Sequence, residues 1–232
     1  MKTAFVKYFL YFALALVPAV ASAQAKVYTK SARLADFPNK TTKVVLTGQS
    51  VLDALLKEEF TSRWRISPYE FCTAEEFGAQ KSATLYYFIH FVQDSEFTYM
   101  HLTKGGPESG KNSLQNAMEV VQIPISAAGV PSSGELVFLP AYIDMVQEYV
   151  QKAMVTDRAA YGGLKSIVRR STRGKTVCRD EEEGRELFLK QAPDTVVPVT
   201  ILPAPGSRRP HAYKMKVSTD THLLYKFRKV RL

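Results

Sequence analysis

The chain has 232 residues, 46% of them hydrophobic and 23% charged, with a formal net charge of +9. That balance is ordinary for a globular chain and leaves room for one medium domain or two small ones. It argues against a disordered or low-complexity protein, and no internal repeat is visible.

Lys2 and Lys7 form a basic start, and Tyr8 to Val20 is an apolar run. Ala21-Ser22-Ala23 then fits the small-residue rule for cleavage, so residues 1–23 are read as a secretory signal peptide. The mature chain is expected to begin near Gln24 and to be periplasmic or secreted. The apolar run is short for a membrane span, and no later stretch approaches that length. Removing Lys2 and Lys7 lowers the net charge of +9 to +7. A basic exported protein favours an anionic envelope partner: an acidic protein, a glycan or a lipid head group. Nucleic acid is not expected.

Residues 24–42 are polar and read as a lead-in, with an edge strand at Lys26 to Thr29. The main domain is placed at 43–232, with a strand-rich C-terminal part. Lys43 to Thr47 is a β-branched strand stopped by Gly48. Ser50-x-x-Asp53 has the form of a capping box. Leu52, Leu55, Leu56 and Phe60 follow at helical spacing. Glu59 and Arg63 lie four apart in the favourable order. Tyr69 to Cys72 is a short strand, and Thr73-x-x-Glu76 opens a second helix to about Lys81.

Thr84 to Val92 is apolar on both faces, as a strand covered above and below would be. Phe97 to Thr103 returns beside it, and a pairing of Val92 with Phe97 puts His90 across from Tyr99. One face then carries Tyr86, Phe88, His90, Tyr99 and His101, with the two histidines on a diagonal. An aromatic-lined pocket there would include His90, His101 and Tyr99 as binding residues. A covering helix with locally satisfied histidines is the plainer reading. As metal ligands the pair lacks a third group.

Gly105 to Ser113 approaches the phosphate-loop pattern, but its hydroxyl residue is one place late and a strand follows, from Met118 to about Ile125. Pro124 places that strand at an edge. Glu135 to Leu139 reads as another short strand, and Pro140 opens a helix to about Val155. Thr156 or Asp157 caps a further helix, which Gly162-Gly163 interrupts. Thr176 to Cys178 is a short strand. Asp180 to Glu183 opens a helix whose acids suit its dipole rather than a metal. Thr195 to Leu202 is a strand with Pro198 inside it.

Two cysteines remain, Cys72 and Cys178. They are open to three readings: a disulfide, two buried thiols, or one reactive thiol. No C-x-x-C pair or zinc spacing is present.

The chain ends in a hairpin. Pairing Val217 with Leu223 brings Met215 to Tyr225 and Tyr213 to Phe227 on one face, expected to point inward. The opposite face carries Lys214, Lys216, Lys226 and Arg228, with Lys214 across from Lys226. This basic ribbon is read as a docking face for an anionic partner, or as a solvated edge that resists strand addition.

The fold expected is α/β or α+β, a mixed β-sheet with helices packed on it and a C-terminal antiparallel hairpin. No catalytic motif, metal set or cofactor signature appears. The leading functional reading is a non-enzymatic binding or accessory protein of the cell envelope. The rival is an exported hydrolase using His90 or His101 with an acid from elsewhere in the chain.

Overall fold

A computed structural model describes residues 29–108, 115–207 and 210–232. The segment read as a signal peptide, most of the residues read as an edge strand before Lys30, and Ser109 to Leu114 of the glycine-rich loop lie outside the described residues.

Two sheets carry the fold. The first runs β2 (Tyr69–Cys72), β1 (Thr41–Val45), β3 (Tyr86–Gln93), β4 (Phe97–Lys104), β5 (Met118–Ala127). Its first three strands are parallel and its last two antiparallel. The second runs β6 (Thr176–Val177), β7 (Thr195–Ile201), β8 (His211–Ser218), β9 (Leu224–Arg231). The expected mixed sheet and C-terminal hairpin are present, but the late strands form a sheet of their own. As expected from Pro124, β5 lies at an edge. Pro198 lies inside β7 where the two-residue β6 no longer reaches, so its missing N–H breaks no ladder on that side.

The helices are α1 (Lys30–Leu34), α2 (Ser50–Arg63), α3 (Ala74–Gln80), α4 (Ser133–Leu136), α5 (Leu139–Val155), α6 (Asp157–Gly162) and α7 (Glu181–Leu189). Three local readings need correction. Gln49, not Ser50, is the N-cap of α2. Asp53 instead reaches back to the N–H groups of Thr47 and Gly48, at 2.7 and 2.9 Å, and so fixes the β1–α2 turn. Glu135 to Leu139 is not a strand. Ser132 and Glu135 form a reciprocal capping box that starts α4, and α5 follows from Leu139. The polar lead-in is not peripheral beyond Lys30, because Leu34 and Phe37 are fully buried. The Thr73–Glu76 capping box is as expected, as is the Glu59–Arg63 pair at 2.6 Å.

The main core gathers Val44, Tyr87, Ile89, Met100 and Leu102 from the first sheet with Leu56 and Phe60 of α2. Val146 and Val150 of α5 and Val197, Met215 and Leu224 of the second sheet join the same core. The sheets meet through aromatic rings. Phe97 lies 5.0 Å from Tyr213, which stacks on Phe227 at 5.9 Å. Gly184 lets α7 sit close to β7, because a Cβ there would come within 3.3 Å of Val197 and Pro198. A smaller cluster, Val45, Cys72 and Phe88 with Phe77 and Tyr86, forms where α3 covers the other face of the first sheet.

Candidate functional site

The C-terminal hairpin sorts its side chains as expected. Met215 is buried, and Tyr213, Tyr225 and Phe227 are partly covered, while Lys214 and Arg228 are exposed. The register differs from the expected one by two residues. Lys216 faces Lys226, and Lys214 faces Arg228. A slip of two keeps Tyr213, Met215 and Phe227 on the inner face and Lys214, Lys216, Lys226 and Arg228 on the outer one, because the side-chain period of a strand is two, but at the turn Leu224 rather than Tyr225 joins the core.

The cause of the slip is the turn. Asp220 accepts from Ser218 Oγ and from the Thr221 and Asp194 N–H groups, which holds its carboxyl down at about 2. Thr219 donates through its N–H to Thr195 O at 3.0 Å, tying the turn to the start of β7. Val217 then pairs with Leu224 across a bulge.

Two cross-strand cation pairs result, and like charges directly opposite each other destabilise a ladder. Lys216 and Lys226 are partly buried, so water screens them incompletely. All 22 acidic residues lie among the described residues. None of them forms an ion pair with Lys214, Lys216, Lys226 or Arg228.

The histidine pair is tighter than expected. Asp94 accepts from the Glu96 and Phe97 N–H groups at 2.7 Å, which centres the β3–β4 turn one residue further along the chain, with Gln93 paired to Thr98. His90 therefore sits directly opposite His101, with ring centroids 5.6 Å apart. Phe77 of α3 lies 4.8 Å from His90. Burial, with His101 as the lesser cause, pushes the His90 imidazole down to about 4, so it is neutral near pH 7. His90 Nε2 is 3.3 Å from Thr103 Oγ1, and His101 Nε2 is 3.1 Å from Gln122 Oε1 and 3.3 Å from Glu119. Both histidines are locally satisfied, and the helix covers His90 through Phe77. Tyr99 is not beside them. It pairs with Val92, donates to Asp94 at 3.1 Å and packs against Tyr213. No group of three potential ligands that could hold a metal occurs among the described residues.

Cys72 and Cys178 are both free and buried. Cys72 belongs to the small cluster under α3 and Cys178 to the main core, so no disulfide joins them. Burial raises both thiols above their ordinary pKa, which disfavours a reactive thiolate.

The side-chain cluster that sequence reasoning missed surrounds His222, in the β8–β9 turn. Its backbone is left-handed, with φ 55°, a conformation that costs a non-glycine residue about 1 kcal/mol or more. The ring is nevertheless buried, stacked on Phe188 at 5.1 Å, with Nδ1 2.6 Å from Asp144. Asp144 also accepts from Arg63 at 3.2 Å and from Gln147 at 3.2 Å. Only the positive φ marks this residue, and nothing in a single sequence reveals it.

An apolar cleft of about 330 Å³ lies between the start of α2 and the α4–α5 segment, lined by Val51, Leu55, Val130, Leu136 and Leu189. Among the described residues, no helix is long and apolar enough to cross a membrane. No protein-family model, curated protein or solved structure matches this chain.

Proposed function

We propose that this is an exported binding protein of the cell envelope that recognises an anionic partner through the outer face of its C-terminal hairpin. The observation that carries it is the pairing of Lys216 with Lys226 and of Lys214 with Arg228, with no carboxylate of the chain in ion-pair contact among the described residues. An anion seated over four cations relieves their mutual repulsion and releases counterions, so binding weakens as salt rises. The Lys2–Ala23 pattern supports export. Tyr213 and Phe227 of the hairpin pack against the core, which favours a charge-led contact over base stacking.

Binding of the purified chain to anionic lipid vesicles, a sulfated glycan and acidic envelope proteins tests this, with a variant carrying Lys214→Glu, Lys216→Glu, Lys226→Glu and Arg228→Glu. The expected result is salt-sensitive binding to one of these that the variant loses. Equal binding by the two proteins would remove the hairpin from the reading.

A second reading, a hydrolase, gains only from His222, which sits beside Asp144 as catalytic histidines do. Neither His90 nor His101 contributes to that arrangement. No serine, threonine or cysteine is hydrogen-bonded to the ring among the described residues.

A further inference from the structure

A cleft of about 340 Å³ opens where the end of α2, the middle of α5 and the β8–β9 turn converge, and His222 lies in its wall. Its two carboxylates are already engaged. Asp144 accepts from Arg63, Gln147 and His222. Glu148 accepts from Lys152 at 2.8 Å and from Arg169 at 2.7 Å.

The donors are not exhausted. Arg63 uses Nε on Glu59 and Nη1 on Asp144, and its Nη2 makes no hydrogen bond among the described residues. Arg65 directs Nη1 and Nη2 at backbone carbonyls closing α2, which holds its guanidinium at the rim. Arg169 Nε is shielded from water and has no hydrogen-bond partner among the described residues. His222 Nδ1 is taken up by Asp144, with Arg63 Nη1 3.4 Å away, and its Nε2 makes no hydrogen bond among the described residues. Three arginines with residual N–H donors, beside carboxylates that are already occupied, make a donor-rich concavity of small-molecule size. Guanidinium forks match the two oxygens of a carboxylate or phosphate.

We propose that this cleft binds a small oxyanion, a carboxylate or a phosphate group, through Arg63, Arg65 and Arg169, with His222 as the fourth polar contact. His222 keeps its left-handed backbone because the ring is needed on both Asp144 and the ligand. A glycine would satisfy the turn alone. This site is separate from the basic face of the hairpin and does not depend on it.

The test is titration of the full chain with inorganic phosphate and, separately, with acetate, followed by the ring resonances of His222 and by calorimetry. Saturable binding by at least one, at millimolar dissociation constant or tighter, is expected, and which one binds identifies the group. Arg169→Gln should weaken it at least tenfold. Gln151→Glu adds a carboxylate at an exposed position of the cleft wall, where the fold tolerates it, and should also weaken binding at least tenfold. The Lys214→Glu/Lys226→Glu variant should bind the small anion as the parent does, which separates this site from the hairpin face. No saturable shift with either anion, or equal affinity in Gln151→Glu and the parent chain, would overturn the proposal.

Discussion

Asp36 pairs with the buried Lys104 at the edge of the core. Lys104 Nζ donates to both oxygens of Asp36, at 2.9 and 2.7 Å, and to Arg33 O at 2.5 Å. Tyr87 donates to the same carboxylate at 2.6 Å, and Lys40 pairs with it at 2.8 Å. Burial acts on both partners, but unequally. Asp36 is held below the usual carboxylate range despite its burial, because three donors converge on it. Lys104 is pushed down, chiefly by burial, against the pull of Asp36. Burial opposes the charged form of both partners, so the pair as a whole adds little over an apolar replacement.

Asp36→Ala leaves a buried ammonium with one carbonyl partner. Losing one partner of a buried pair costs about 3–5 kcal/mol. Asp36 keeps 37% of its side chain exposed, so screening brings the expectation to about 2–3 kcal/mol. That corresponds to a Tm lower by about 5–10 °C. Lys104→Met should cost about 1–2 kcal/mol, because Lys40 and Tyr87 still serve Asp36. The double variant should return to within about 1 kcal/mol of the parent, a coupling of about 2–5 kcal/mol.

Urea unfolding followed by the single tryptophan measures this directly. Trp64 is buried and lies 6.2 Å from the ring of Phe37, next in sequence to Asp36. Because the folded state depresses the Asp36 pKa, its contribution is present above the ordinary carboxylate range and fades as pH falls through the folded value. Asp36→Ala should lose that part of the acid limb. A double variant whose cost equals the sum of the two single ones would refute the reasoning.

Three further outcomes are expected. His90 is pushed down to about 4, so the unfolded chain binds more protons between that value and about 6.5, and stability falls as pH drops through the window, by up to about 3 kcal/mol. His90→Phe should flatten the pH dependence of the urea midpoint there; an unchanged slope would mean the ring is not desolvated. Lys226→Glu replaces a like-charge cross-strand pair by an opposite one with Lys216, and should raise stability by about 0.5 kcal/mol at low salt, an effect that high salt removes. The chain denatured without reductant should show two titratable thiols, and the folded chain close to none. A thiol-free denatured monomer would contradict the two separate buried sites.

Much of the architecture was legible because periodicity reports burial. The apolar spacing of α2 and α5, the capping box at Thr73–Glu76 and the inward aromatics of the hairpin are all local patterns. Both hairpin registers differ from the expected ones by two residues because the position and length of a turn depend on side-chain bonds made in three dimensions. Asp94 moves the centre of one turn one residue along the chain, and Asp220 with Thr219 lengthens the other by anchoring it to the start of β7. Faces survived these slips, but contacts did not. His90 met His101 instead of Tyr99, and Lys216 met Lys226. The apolar content of Glu135 to Leu139 fits a strand, but the Ser132–Glu135 capping box starts a helix there.

The amino-acid order alone determined which residues turn inward along each strand and helix, since a period of two or 3.6 is a property of the local backbone. Only the tertiary structure decided that the cysteines stay apart, that the hairpin is part of a second sheet, and that Asp144, 78 positions from His222, lies against its ring. Contacts of that kind arise from how whole elements pack, and no short window of sequence contains both partners.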